Sequence, residues 1–251
     1  MSKTPNTIVI VGGESNNQAK LTTQLEPVKV SDNVGLAITS IFHGAVYNIN
    51  ESNNMVSFYA AGKAVLYTSE IPIGHYSSSF AVLKSISDVL ERRDYLDISS
   101  MSKPRLDVTL RGDNSLSVSI EHMGLAINDK QNSPWKMLGV DSIFESASNF
   151  NIKNVNFDLN LEPGFLYANI VEDSWINGRR SRVLDMVPIS MKAHWSYYEF
   201  SSPNFVPIDV KEFSKIHLEL RNMDGEYVPF DPSFKTIITL QTKHINREEA
   251  R

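Results

Sequence analysis

The side chains in this 251-residue chain that could do chemistry are six histidines, scattered carboxylates and many serines. No two histidines have the i, i+4 spacing of a helical metal pair, and the His-x-His pair of the cupins is absent. Gly12-Gly13-Glu14 follows a strand pattern but matches neither common nucleotide-binding loop, and no serine lies in G-x-S-x-G. Asp94 and Asp97 follow a predicted helix, where carboxylates are usually solvated. The sequence therefore predicts no catalytic residue, cofactor or metal site, and a protein that is not an enzyme.

One tripeptide has a known binding chemistry. Arg111-Gly112-Asp113 is an RGD, the short sequence that integrins read, and it falls at the turn of a predicted hairpin. Gly-Asp is also what a tight hairpin turn favours. Two interpretations stay open: a candidate receptor-binding site, or a turn and nothing more.

Charge and composition exclude several classes of protein. The formal net charge is -5 and there is no cysteine, which removes disulfides, zinc fingers and thiol catalysis. The densest basic cluster, Arg179–Arg182, is typical of a solvated loop, so no direct sequence-specific contact with nucleic acid is expected. No apolar run approaches the roughly 20 residues that a membrane span needs.

Most of the chain consists of short apolar runs that predict β-strands. The most regular alternation covers residues 105–121 and predicts a hairpin. A second hairpin is predicted around Asn177-Gly178, between Phe165–Glu172 and Arg182–Val187. A third is predicted between the alternating runs 216–221 and 237–242, where the chain turns at Asp224-Gly225.

Residues 78–93 lack Gly and Pro, begin with serines suited to an N-cap, and predict one helix. Its apolar stripe has helical spacing and consists of Phe80, Leu83, Ile86 and Leu90. Many short strands separated by turns are typical of a sandwich or jelly roll. We therefore predict an all-β fold, mainly β with one helix. The expected architecture is a single jelly-roll β-sandwich over residues 1–251, with a small insertion at 72–148 that holds this helix and the hairpin 105–121.

Aromatic side chains are concentrated in the segment Ala193–Phe205, whose only charged residue is Glu199. The aromatic residues of this segment are Trp195, Tyr197, Tyr198, Phe200 and Phe205. They alternate between both faces of an extended run, which is more than one core needs, so one face is expected to meet a partner. The alternative is that loops of the same sandwich cover both faces.

Several short motifs follow one another between residues 24 and 242. They are Leu25-Glu-Pro27 with Gly35–Ser40, Tyr47-Asn-Ile49 with Asn53-Asn54, Ile71-Pro-Ile-Gly-His-Tyr76, Met137-Leu-Gly139, and Leu220–Leu240 with its Asp-Gly turn and Val-Pro-Phe. In this order they resemble the minor capsid (penton) proteins of Polinton/Maverick elements, of the related adintoviruses and, more distantly, of virophages. Val140 stands where that family usually has an aromatic residue.

The resemblance implies a virion protein: a single jelly roll that forms homopentamers at the fivefold vertices of an icosahedral shell, beside the major capsid protein. Assembly would take place in the host nucleus or cytoplasm. The family has no catalytic residues to transfer. The RGD turn is then a candidate contact for a host cell-surface receptor, and the five aromatic residues are a candidate subunit interface. A jelly-roll binding module, such as a receptor-binding or lectin-like attachment head, is the alternative function.

Overall fold

The computed structural model describes residues 7–12, 17–60, 66–92, 105–121, 123–126, 133–135, 137–140, 149–157, 161–176, 178–192 and 194–245. Among these residues there are 17 β-strands and one α-helix. The chain divides into two compact units: residues 1–46 with 160–251, and residues 47–159. The predicted module of residues 72–148 lies inside the second unit.

The first unit is built from two antiparallel sheets. The first sheet has the order β1-β17-β3-β14, with β15 also paired to β3, and the second has the order β13-β10-β16-β2. The strands are β1 (Thr7–Val11), β2 (Lys20–Lys29), β3 (Val34–His43), β10 (Leu161–Ala168), β13 (Val183–Ser190), β14 (Ser196–Glu199), β15 (Val206–Pro207), β16 (Glu212–Arg221) and β17 (Ile237–His244).

The order of these strands defines a jelly roll. If β1, β2, β3, β10, β13, β14, β16 and β17 are counted from one to eight, the sheets read 1-8-3-6 and 5-4-7-2. Successive strands thus lie in different sheets, except for the fourth and fifth, β10 and β13, which are neighbours in the second sheet. This is the eight-stranded double-sheet arrangement of jelly rolls. The predicted fold class is confirmed.

The sandwich forms because its strands have one apolar face. β1 alternates between exposed and buried residues, with Ile8 and Ile10 pointing inward. β16 does the same with Ile216, Leu218 and Leu220, each of which is fully buried. A period of two places all such residues on one face of a strand, so both sheets contribute to a single core between them.

Two of the predicted strand pairings can be compared with the structure. β10 and β13 are antiparallel neighbours, as predicted. Between them lies a small extra hairpin, β11 (Ser174–Ile176) with β12 (Arg179–Ser181), while Asn177 of the predicted turn lies outside the described residues. The predicted hairpin of 216–221 with 237–242 is wrong, because β16 pairs with β10 and β2 whereas β17 pairs with β1 and β3.

This error has a physical reason. Alternation reports that one face of a strand is buried, but it does not report which strand lies alongside. The connection between β16 and β17 passes from one sheet to the other, and its Phe234 packs against Gly44. A Cβ built on Gly44 would lie 2.6 Å from the Phe234 Cβ, so only glycine allows this approach.

The second unit contains two three-stranded sheets, in the orders β5-β4-β8 and β6-β7-β9, and the helix. The elements are β4 (Met55–Ala60), β5 (Leu66–Glu70), α1 (Ser79–Arg92), β6 (Arg105–Leu110), β7 (Ser115–Glu121), β8 (Met123–Ala126) and β9 (Asn149–Lys153). In the apolar stripe of α1, Leu83, Ile86 and Leu90 are buried among side chains of both sheets, and Phe80 is half-buried against them. Trp135 and Val140 belong to the same cluster.

The predicted helix and hairpin of this unit are present. The hairpin prediction 105–121 coincides with β6 and β7. The helix begins one residue later than predicted, and Arg93 lies outside the described residues. The hydroxyl of Ser78 accepts a hydrogen bond from the Ala81 N–H at 3.3 Å, which is an N-cap contact. Within the described part of the chain, α1 is not long and apolar enough to cross a membrane.

Candidate functional site

The aromatic segment after β13 lies at one edge of the first sheet, where β14 is the outermost strand. Trp195, Tyr197 and Tyr198 are exposed. Phe200 is half-buried, packs against the core, and meets the Tyr198 ring edge-on at 4.8 Å. The segment therefore divides into side chains that anchor it and side chains that face outward. Ala193 lies outside the described residues.

Phe205, the fifth predicted interface residue, lies elsewhere. It lines a cleft of about 560 Å³ beside β15 and the end of β17. The Lys243 ammonium lies 5.7 Å from its ring centroid. Phe205 is thus close to the predicted segment in sequence, but it does not share a surface with Trp195.

Two of the exposed aromatic residues, Tyr197 and Trp195, continue an apolar row that crosses the whole first sheet. Val11 lies opposite Ile237, Ile237 opposite Phe42, and Phe42 opposite Tyr197. Trp195 extends the row, because its ring centroid lies 5.6 Å from that of Phe42. Since residues opposite one another point to the same face of a sheet, these side chains form one outward surface.

We call this surface the outer patch; its members are Val9, Val11, Ile237, Phe42, Trp195 and Tyr197. Four of them remain largely uncovered: Val9 is 54% exposed, Val11 61%, Trp195 59% and Tyr197 57%. The sequence pointed to Trp195 and Tyr197 but not to β1. In Thr7-Ile-Val-Ile-Val11 apolar residues lie on both faces of the strand, so one apolar face is exposed. That face indicates a candidate contact only once β1 is known to be an edge strand of the first sheet.

The outer face of the second sheet is different. His217, Glu219 and Arg221 alternate along β16 and therefore point to the same side. Two Arg221 nitrogens donate to Glu219 Oε2 at 2.9 and 2.7 Å, and the Tyr227 hydroxyl donates to Glu219 Oε1 at 3.0 Å. The Lys20 ammonium lies 4.4 Å from the centroid of the Tyr227 ring, and the Arg221 guanidinium lies 4.3 Å from it.

These contacts also set the charge of the carboxyl group. Partial burial works against ionisation of Glu219, but hydrogen bonds from Arg221, Tyr227 and His217 outweigh it, so the pKa of Glu219 lies below its ordinary value. This polar network satisfies its own members. The two outer faces therefore differ at these positions: the charges around Glu219 on the second sheet are paired, whereas the outer patch of the first sheet presents exposed apolar side chains.

The RGD turn lies at the tip of the β6–β7 hairpin, and all three of its residues are exposed. The Arg111 N–H donates to the Ser115 carbonyl at 2.8 Å, and Asn114 has the positive φ of 61° that closes such a turn. Asp113 Oδ1 accepts hydrogen bonds from the Ser115 hydroxyl at 2.6 Å and from the Ser115 N–H at 3.0 Å. These bonds, the hydroxyl's above all, lower the pKa of Asp113.

Of the other residues considered from the sequence, Asp94, Asp97 and Gly13-Glu14 lie outside the described residues. Among the residues that the structure describes, no group of three or more His, Asp or Glu side chains could hold a metal ion.

No family model and no curated protein matches the sequence. The crystal structure of the mavirus penton protein is similar to this chain, with a TM-score of 0.48 and 10% sequence identity. The similarity covers 97% of this chain and 100% of that chain. That neighbour is a penton protein, the kind of protein that the sequence motifs resemble. The assignment of the jelly-roll fold rests on the strand order of the sheets.

Proposed function

We propose that this protein is a structural subunit of a viral capsid, a penton that forms homopentamers at the icosahedral vertices. Eight-stranded jelly rolls are a fold of viral capsid subunits. The proposal is carried by the outer patch, because a contiguous exposed apolar surface on a folded domain marks a protein-protein contact. Aromatic residues are also enriched at such contacts, and charged residues are depleted.

The patch fits a ring better than a twofold dimer. A pentamer needs a heterologous contact, in which one surface of a subunit meets a different surface of the next. The outer patch spans the sheet from the edge at β14 to the edge at β1, so each side of a subunit offers an apolar rim. The major capsid protein would surround such a ring, and the protein would be located in the virion.

Sedimentation of the purified protein over a range of concentrations tests this function. The expected result is a species of five copies that dissociates on dilution without unfolding. A trimer would instead favour an attachment head, and a stable monomer that binds sugars would favour a lectin-like module; either result would overturn the penton proposal.

For the RGD turn we propose a second, separable role as a contact for a cell-surface receptor, supported by its exposure at a hairpin tip. Asp113 already stabilises its own turn through Ser115, which is also what the turn-only interpretation expects. Asp113→Glu should abolish binding to integrin-bearing cells while the hairpin stays folded. Asp224→Glu, in the exposed turn after β16, is the matched control. Equal cell binding by the wild type and both variants would leave Arg111–Asp113 as a turn only.

A further inference from the structure

Each sheet of the sandwich ends in two edge strands, and the edges of the first sheet are β1 and β14. Within the described part of the chain, β1 pairs only with β17, and β14 pairs only with β3. No strand among the described residues therefore pairs with the outward backbone N–H and C=O groups of β1 or β14. Such an edge is a template for pairing with another chain.

Proteins usually protect open edges with prolines and charges, and the second sheet does so. Its edge strand β2 contains Lys20, Glu26, Pro27 and Lys29, and its other edge strand, β13, contains Asp185 and Pro188. The first sheet has no such protection on β1, whose sequence is Thr-Ile-Val-Ile-Val. β14 carries a single charge and no proline. The contrast within one sandwich indicates that the edges of the first sheet are kept open.

On the β14 side of the first sheet, β14 lies beside the end of β3, and β15 lies beside its start. There β15 pairs with β3 and ends in Pro207, which has no N–H to offer a neighbour. The open part of this edge is therefore Ser196–Glu199, the strand that carries Tyr197.

Strand direction makes the two open edges complementary. All neighbours in the first sheet are antiparallel, so β1 and β14, separated by two strands, run in opposite directions. A rotation about an axis parallel to the strands leaves the direction of every strand unchanged from copy to copy. It would bring β14 of one copy antiparallel to β1 of the next and continue the sheet.

The register also matches. Val11 and Tyr197 lie in the same row of one sheet, linked through Ile237 and Phe42. Rotation about an axis along the strands leaves the height of each row unchanged, so Tyr197 of one copy comes opposite Val11 of the next. The outer patch would then become a continuous apolar band.

We propose that the subunits are joined by edge-to-edge strand pairing, β14 of one copy with β1 of the next, so that the first sheet runs on from copy to copy. This inference rests on the proposed function, because it names the two surfaces of the heterologous contact within the ring. The occupant of the open edge is therefore a second copy of this chain.

Disulfide trapping tests the pairing cleanly, because the natural chain has no cysteine. Opposed residues on antiparallel strands have Cα atoms about 4.5–5.5 Å apart, within the range of about 4.4–6.8 Å that a disulfide needs. The double variant Val11→Cys/Tyr197→Cys is oxidised mildly at a concentration where the wild type is oligomeric, and its products are separated without reductant. We expect a ladder of covalent oligomers that ends in a closed ring.

The controls separate this contact from others. The single variants Val11→Cys and Tyr197→Cys should stay monomeric under denaturing conditions, since a head-to-tail contact never brings identical residues together. A disulfide dimer of either single variant would reveal a twofold contact and overturn the proposal. Val11→Cys/Met186→Cys, which places the second thiol at an exposed position on β13, should give no ladder.

The outcomes also distinguish this inference from the pentamer. A ladder that closes at a number other than five would support the edge contact and contradict the pentamer. If the double variant gives no ladder while the wild type sediments as five copies, the pentamer stands and edge pairing is overturned. Absence of both the ladder and any oligomer would overturn both.

A charge placed on the edge gives an independent readout. Val11→Lys adds the kind of protection that open edges usually have, and we expect it to weaken association by about tenfold or more. Gln241→Lys places the same charge on the exposed face of β17, one strand in from the edge, and should leave association unchanged. Equal association of the two variants would contradict the proposal.

Discussion

His43 is the side chain whose charge depends most clearly on the fold. It lies at the end of β3 with 2% of its surface exposed, and its ring centroid is 4.9 Å from that of Phe230. Nδ1 donates to the Gly44 carbonyl at 2.7 Å. Burial lowers the pKa of His43 below the ordinary value of 6.5, although this hydrogen bond partly opposes the shift. The folded protein therefore keeps this ring neutral.

The lowered pKa predicts a loss of stability in mild acid. Below pH 6.5 the unfolded chain binds a proton at His43 before the folded chain does, so the free energy of unfolding falls as the pH falls from 6.5 toward the folded-state pKa. Melting temperatures from pH 8 to pH 5 should therefore fall less steeply for His43→Gln than for the wild type. His194→Gln, at an exposed position, should follow the wild type. Parallel curves for wild type and His43→Gln would refute this role.

Two tryptophans should respond to truncation in opposite ways. Trp195 is 59% exposed and Trp135 is fully buried. We expect Trp195→Ala to melt almost as the wild type does at high dilution, but to weaken association by about 2–4 kcal/mol, as an interface anchor does. Trp135→Ala should instead cost about 3–5 kcal/mol of folding stability. Thermal melting and sedimentation of each variant give the comparison. A Trp195→Ala protein that keeps its oligomer but melts early would remove this residue from the interface.

Single elements were predictable where the signal is local. The hairpin 105–121 and the helix follow from alternation, turn residues and helical spacing, all of which act within about 20 residues. The neighbours of β16 and β17 were not predictable in this way. Each of these strands pairs with strands that are distant in sequence, and alternation does not report which distant strand lies alongside. The role of β1 in the candidate site was missed for the same reason. Its exposed apolar face points to a contact only because β1 is an edge strand, and the sequence does not show which strands are at the edges.

The start of α1 shows a contact that links distant segments. Ser79 is fully buried, and its N–H donates to the Val155 carbonyl at 3.0 Å. Its hydroxyl accepts a hydrogen bond from the Val155 N–H at 3.1 Å. Ser79→Ala leaves that N–H without its acceptor and should cost about 1–3 kcal/mol of stability in chemical denaturation. Ser77→Ala, at an exposed neighbouring position, is the control; equal losses in the two variants would show that the hydroxyl contact is unimportant.

At the scale of the whole molecule, the jelly roll was predictable as a class, because many short strands without repeats leave few architectures. The second unit comprises residues 47–159, and the insertion predicted at 72–148 lies within these bounds. β4 and β5 have the same short apolar pattern as sandwich strands, and only their pairing with each other and with β8 sets them apart.

The central claim is that the outer patch joins copies of this chain into a closed ring of five. Negative-stain electron microscopy of the purified protein, at a concentration where sedimentation detects association, tests it most directly because the symmetry is seen rather than inferred. We predict class averages of closed rings with five subunits for the wild type, and single particles for Trp195→Ala at the same concentration. Rings with another number of subunits, or monomeric wild-type particles at every accessible concentration, would contradict the account.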